Sequence, residues 1–102
     1  MKPIIFHDDA QAEFDAAIAY YEMRETGLGL RFHTDVERAA RLVNQYPRIG
    51  CQYKSTEFRR YVIGRFPYSI FYLEFEDAIW IVSIAHNTRR PDYWKGRQFD
   101  RE

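Results

Sequence analysis

Between residues 58 and 86 the chain carries three aromatic and β-branched runs, Phe58–Arg65, Tyr68–Phe75 and Ala78–His86, with only short breaks between them. Flat and branched side chains fit a pleated surface, so each run reads as a strand. Glu76-Asp77 is short enough for a tight hairpin, and Gly64 to Pro67 marks the other reversal. Side chains alternate along a strand. Tyr68, Ile70 and Tyr72 are therefore expected on one face, with Ser69, Phe71 and Leu73 on the other. By the same rule Trp80, Val82, Ile84 and His86 share a face, and Ile79, Ile81, Ser83 and Ala85 share the opposite one. Both faces are largely apolar. Helices can cover one of them, and the C-terminal tail or a partner must cover the other.

The first half of the chain supplies the helices. After a short strand at Ile4-Ile5-Phe6, Asp8 or Asp9 offers an N-cap oxygen, with Gln11 placed as in a capping box. Ala10, Phe14, Ala17, Ile18 and Tyr21 then fall on one face of a 3.6-residue period, while Glu13, Asp15, Glu22 and Arg24 fall off it. Gly27 and Gly29 end that helix near Thr26 by turning the backbone. A second helix, from about Leu30 to Tyr46, carries the stripe Phe32, Val36, Ala39, Ala40 and Val43 and stops at Pro47. Residues 47 to about 57 read as a loop. The expected order is β-α-α-β-β-β, an α+β fold with a helical hairpin packed on a small, mainly antiparallel sheet. At 102 residues the chain has the length of a single domain spanning 1–102.

Charge is balanced, with 15 basic and 15 acidic residues, and so gives no argument for a nucleic-acid or membrane partner. Its distribution is less even. Residues 54–65 hold Lys54, Arg59, Arg60 and Arg65 against Glu57, and residues 86–97 hold Arg89, Arg90, Lys95 and Arg97 against Asp92. The acidic excess lies in residues 1–37, on expected helix surfaces. Two basic segments on a neutral chain matter only if folding joins them. The lone Cys51 excludes an internal disulfide and a cysteine-based zinc site, and His7, His33 and His86 lack metal-ligand spacing. No cofactor or metal is expected. Neither a signal peptide nor an apolar run of the ~20 residues needed to cross a bilayer is read, so the expected compartment is the cytoplasm.

The order of elements, together with Gly64-Arg65-Phe66-Pro67-Tyr68-Ser69-Ile70-Phe71-Tyr72, the last strand Ile79 to His86 and the tail Arg89-Arg90-Pro91-Asp92-Tyr93-Trp94, resembles the RelE/ParE toxin superfamily. Gly27-Leu28-Gly29 before Arg31-Phe32 resembles its helix-hairpin turn. The likeness covers nearly the whole chain and leans to the ParE-like branch. It implies the toxin of a type II toxin–antitoxin, plasmid-stabilisation type system, with a cognate antitoxin as partner in a hetero-oligomer. ParE-like members arrest growth by binding DNA gyrase. RelE-like members cut ribosome-bound mRNA. A third reading is a toxin-fold protein that binds only its antitoxin.

The residues weigh differently on these readings. Metal-independent RNA cleavage needs a base, an acid and cations for the phosphate, roles open to Arg65, His86, Arg89 and Tyr93. The resemblance puts an arginine of the nuclease branch where this chain has Ser69, and a hydroxyl cannot replace a fixed charge. Inhibition by protein contact tolerates that serine. Its expected target-binding edge is Arg65, His86, Arg89, Arg90, Tyr93 and Trp94, since Arg, Tyr and Trp dominate interfaces. Structural roles compete at each position: His86 as a strand-end hydrogen-bonding residue, Arg65 as the partner of a helix carboxylate, Trp94 as a tail residue folded back on the sheet.

Overall fold

In a computed structural model describing residues 1–90 and 92–99, the expected elements appear with one addition. They are β1 (Ile4–Phe6), α1 (Asp8–Arg24), α2 (Leu28–Gln45), β2 (Cys51–Gln52), β3 (Arg59–Ile63), β4 (Tyr68–Glu74) and β5 (Ile79–His86). The sheet order is β1-β5-β4-β3-β2. β1 runs parallel to β5, and the other neighbours are antiparallel. Strand β2 was not expected. Its Cys51 and Gln52 pair with Arg60 and Arg59, a stretch too short to show any alternation.

Helices α1 and α2 cover one face. Phe14, Phe32, Val36 and Val43 bury against Ile70, Tyr72, Ile79, Ile81 and Ile84. The hydroxyl of fully buried Tyr72 is satisfied there, donating to the Pro47 carbonyl at 2.7 Å and accepting from the Gly50 amide at 3.0 Å.

Both helix starts differ from expectation. α1 is capped by His7, whose Nδ1 accepts the Asp9 amide at 3.1 Å, while Asp8 and Asp9 sit inside the first turn, where the helix dipole favours them. Gly27 turns the chain with φ +90, but Gly29 lies within α2 and does not turn it. A Cβ on Gly29 would stand 2.6 Å from the Ile18 carbonyl oxygen, so glycine is what lets α2 approach α1. The carboxylate of Glu22 on α1 accepts the Gly27 and Gly29 amides at 2.9 and 3.1 Å, capping α2 from outside its own sequence. Gly29→Ala forces the new Cβ against the backbone of α1 and is expected to cost about 1–3 kcal/mol, read as a lowered urea midpoint.

The alternation expected for β5 breaks in mid-strand. Phe71 pairs with Ser83 and Tyr72 with Ile81, leaving Val82 as an extra residue, a β-bulge. Ile84 therefore joins Ile79 and Ile81 on the helix side, whereas Val82 packs on the far side with Phe71 and Ala85. Grouping Ile84 with Trp80 and Val82, and Ala85 with Ile79 and Ile81, is corrected on that account.

The far face is covered by the tail. Trp94 is 1% exposed and packs on Phe71, Phe58 and Tyr53, with ring centroids 4.5, 4.8 and 5.4 Å away.

Candidate functional site

The tail leaves β5 through a local turn. Thr88 donates its amide to His86 Nδ1 at 3.1 Å, and Arg89 donates its own to the His86 carbonyl at 2.9 Å. The Asn87 amide reaches the Pro67 carbonyl at 2.7 Å, tying the tail to the β3–β4 turn. Pro91, part of the basic tail pattern, lies outside the described residues.

Glu13 of α1 anchors the tail to the open end of β5. β1 pairs with β5 only as far as Ile81, so polar backbone beyond that point needs other partners. Glu13 accepts the Ile84 amide at 3.1 Å and the Ser83 hydroxyl at 3.0 Å. Arg97 donates to the Val82 carbonyl at 2.7 Å and forks onto Glu13 at 3.0 and 2.9 Å. The Tyr93 hydroxyl also donates to Glu13. The side chains of Glu13 and Arg97 are each 13% exposed. Burial alone would raise the Glu13 carboxyl, but hydrogen bonds from Arg97 and Tyr93 outweigh it and hold the group below its ordinary value of 4.5. The Tyr93 phenol is pushed up by its own burial and by the bond to Glu13.

A second clamp is made by Asp92. In a left-handed conformation with φ 72, it accepts from the Tyr53 hydroxyl at 2.6 Å and from Lys54 at 2.9 Å. Those two bonds lower its carboxyl below the usual range.

The six expected edge residues divide among three locations. His86, Arg89, Arg90 and Tyr93 gather at the end of β5. The Arg89 guanidinium lies 4.0 Å from the Tyr93 ring centroid and 3.9 Å from Glu13, with a little over half its side chain exposed. Arg90 is exposed. Arg65 is drawn away: its fork takes both oxygens of Asp35 on α2, at 3.1 and 2.9 Å, and it lines a groove with Arg38, Leu42 and Tyr61. Trp94 is core. As a surface contact it is corrected, because its indole is enclosed by Phe71, Phe58 and Tyr53.

The sequence reading missed Glu13, Arg97 and Arg60. Glu13 read as one more carboxylate off the apolar face. A signal was present in Ser83, a polar residue inside an apolar strand, since a buried hydroxyl requires a partner. Arg60 hydrogen-bonds Ser69 at 3.0 Å, so a cation does stand at that serine, supplied by the neighbouring strand. Folding also joins the two basic segments, through Lys54 on Asp92 and through Arg60 and Arg90 on one cavity. Among the described residues no cluster of His, Cys, Asp or Glu could hold a metal, and no helix is long and apolar enough to cross a membrane.

This arrangement can be set beside known proteins. The chromosomal ParDE toxin–antitoxin structure from P. aeruginosa superposes with a TM-score of 0.71, at 20% identity, over 84% of this chain and 96% of that one. No individually curated protein sequence matches the chain. The sequence profile described as "ParE toxin of type II toxin-antitoxin system, parDE" matches residues 4–91. With that profile spanning β1 through the start of the tail, the chain belongs to the ParE toxin family of type II toxin–antitoxin systems.

Proposed function

We propose that this ParE-family protein arrests growth in the cytoplasm by binding DNA gyrase through the edge formed by His86, Arg89, Arg90 and Tyr93, and that a cognate antitoxin neutralises it. The observation that carries this reading is a pair of exposed arginines, Arg89 and Arg90, on a tail locked to helix α1 at Tyr93 and to the sheet at Trp94. A rigid, cationic, aromatic edge suits protein contact, since little ordering is lost on binding. Three of the four groups offered for RNA cleavage have an atom committed to a neighbour. Arg65 is held by Asp35, the Tyr93 hydroxyl by Glu13, and His86 Nδ1 by Thr88.

Expression of the chain alone in growing bacteria, with DNA supercoiling and message integrity followed together, tests the reading. Relaxed or broken DNA with intact message is the expected result. Message cleavage with DNA untouched overturns it in favour of a nuclease, and absence of arrest favours a protein that only binds its antitoxin. Reversing the charge at Arg90 is expected to weaken gyrase inhibition about tenfold or more. Because Arg90 has no ion pair among the described residues, stability should stay within roughly 0.5 kcal/mol of the parent. Full inhibition by Arg90→Glu and by Arg89→Glu alike would remove the tail from the interface.

A further inference from the structure

Arg60 of β3 and Arg90 of the tail line one cavity of about 150 Å³, beside His86 and Asn87 and against Phe71 and Trp94. Arg60 is fixed in place. Its Nε donates to Ser69 Oγ at 3.0 Å and its Nη2 to Asn87 Oδ1 at 3.3 Å, and the Phe71 ring centroid lies 5.9 Å from its guanidinium carbon. Ser69, fully buried, also donates to Asn87 Oδ1, at 2.6 Å. With that oxygen taken twice, Asn87 has its amide hydrogens left to offer. His86 Nδ1 accepts the Thr88 amide, which places the proton of the neutral ring on Nε2. The hydroxyls nearby are committed, Tyr53 to Asp92 and Tyr93 to Glu13. What remains at the cavity is a set of donors.

Nor is its charge cancelled among the described residues. Arg31, Arg65, Arg89 and Arg97 each stand within 4 Å of a carboxylate oxygen, whereas among the described residues neither Arg60 nor Arg90 does. Two uncompensated guanidiniums, a ring N–H and an amide suit a group with several acceptor oxygens and more than one negative charge. A carboxylate offers too few of both. The apolar wall of Phe71 and Trp94 strengthens such attraction by excluding water. The volume is well below the ~300 Å³ at which small-molecule pockets begin, so it fits a group and not a whole cofactor.

We propose that this cavity is a phosphate-binding site, taking a single phosphate group between Arg60 and Arg90 with hydrogen bonds from Asn87 and His86. The site shares His86 and Arg90 with the proposed gyrase edge, but its test reads phosphate directly, so a negative gyrase assay leaves it standing.

The test is a nuclear magnetic resonance titration of the full chain with inorganic phosphate at low salt, against sodium chloride of matched ionic strength. Saturable shifts at the Trp94 indole and the Asn87 amide are expected with phosphate alone. Arg90→Gln, at an exposed position, should weaken binding about tenfold, as should Arg60→Gln if it folds. Arg31→Gln should leave binding unchanged. A parallel titration with a nucleoside 5′-monophosphate separates the sources: equal affinity means that free phosphate suffices, and tighter binding means that the phosphate is read on a nucleotide. Shifts that fail to saturate, that chloride reproduces, or that survive Arg90→Gln would overturn the proposal.

Discussion

Trp94→Ala is expected to lower the unfolding free energy by about 3–5 kcal/mol, measured by urea denaturation at neutral pH. The indole is the largest of the fully buried side chains, and it closes the far face of the sheet over Phe71, Val82 and Ala85. Removing it opens a cavity whose walls cannot collapse, because β4 and β5 are held from behind by the helices. It also frees the tail. Proteolysis after residue 86 should become rapid while the sheet core remains intact, and on the proposed reading inhibition of gyrase should fall with it because Arg89 and Arg90 lose their fixed position. The alternative is separable. If Trp94 met the target directly, the same substitution would weaken inhibition and leave the unfolding free energy within roughly 0.5 kcal/mol of the parent.

Glu13→Ala is expected to cost about 3 kcal/mol or more, because it strips a largely buried Arg97 of the carboxylate its fork takes and leaves the Ile84 amide and Ser83 hydroxyl short of an acceptor. The same carboxylate governs acid stability. Its folded-state pKa is lowered, so its contribution is fully present above the unfolded value near 4.5 and is lost as pH falls through the folded one. The parent protein should therefore lose stability below about pH 4.5. Glu13→Gln keeps the shape without the titration, and should be weaker at neutral pH with a flatter acid profile. An acid profile identical to the parent's would mean that other carboxylates set the dependence.

The elements that were legible in sequence are those whose side chains repeat. Phe14, Ala17 and Tyr21 mark α1, Phe32, Val36 and Val43 mark α2, and the aromatic runs mark β3 to β5, because burial on one side imposes a period of its own. Places without a period escaped. Strand β2 is too short to carry one, and the bulge at Val82 interrupts the one that β5 began. Gly29 was visible as a glycine, but not as the point where two helices touch.

The site divides along the same line. That a basic, aromatic tail follows an apolar strand, and that two apolar sheet faces need cover, was readable along the chain, since both depend only on near neighbours. Which basic residues face outward was set by packing between distant segments. Asp35 takes Arg65, Glu13 takes Arg97 and holds Tyr93, and Phe71 takes Trp94, each across 23 to 84 positions of chain. A charge or a ring carries no record of the distant group that neutralises or encloses it. Folding chooses those pairs, and Arg60, Arg89 and Arg90 are the cations left facing solvent or a cavity at the end of β5.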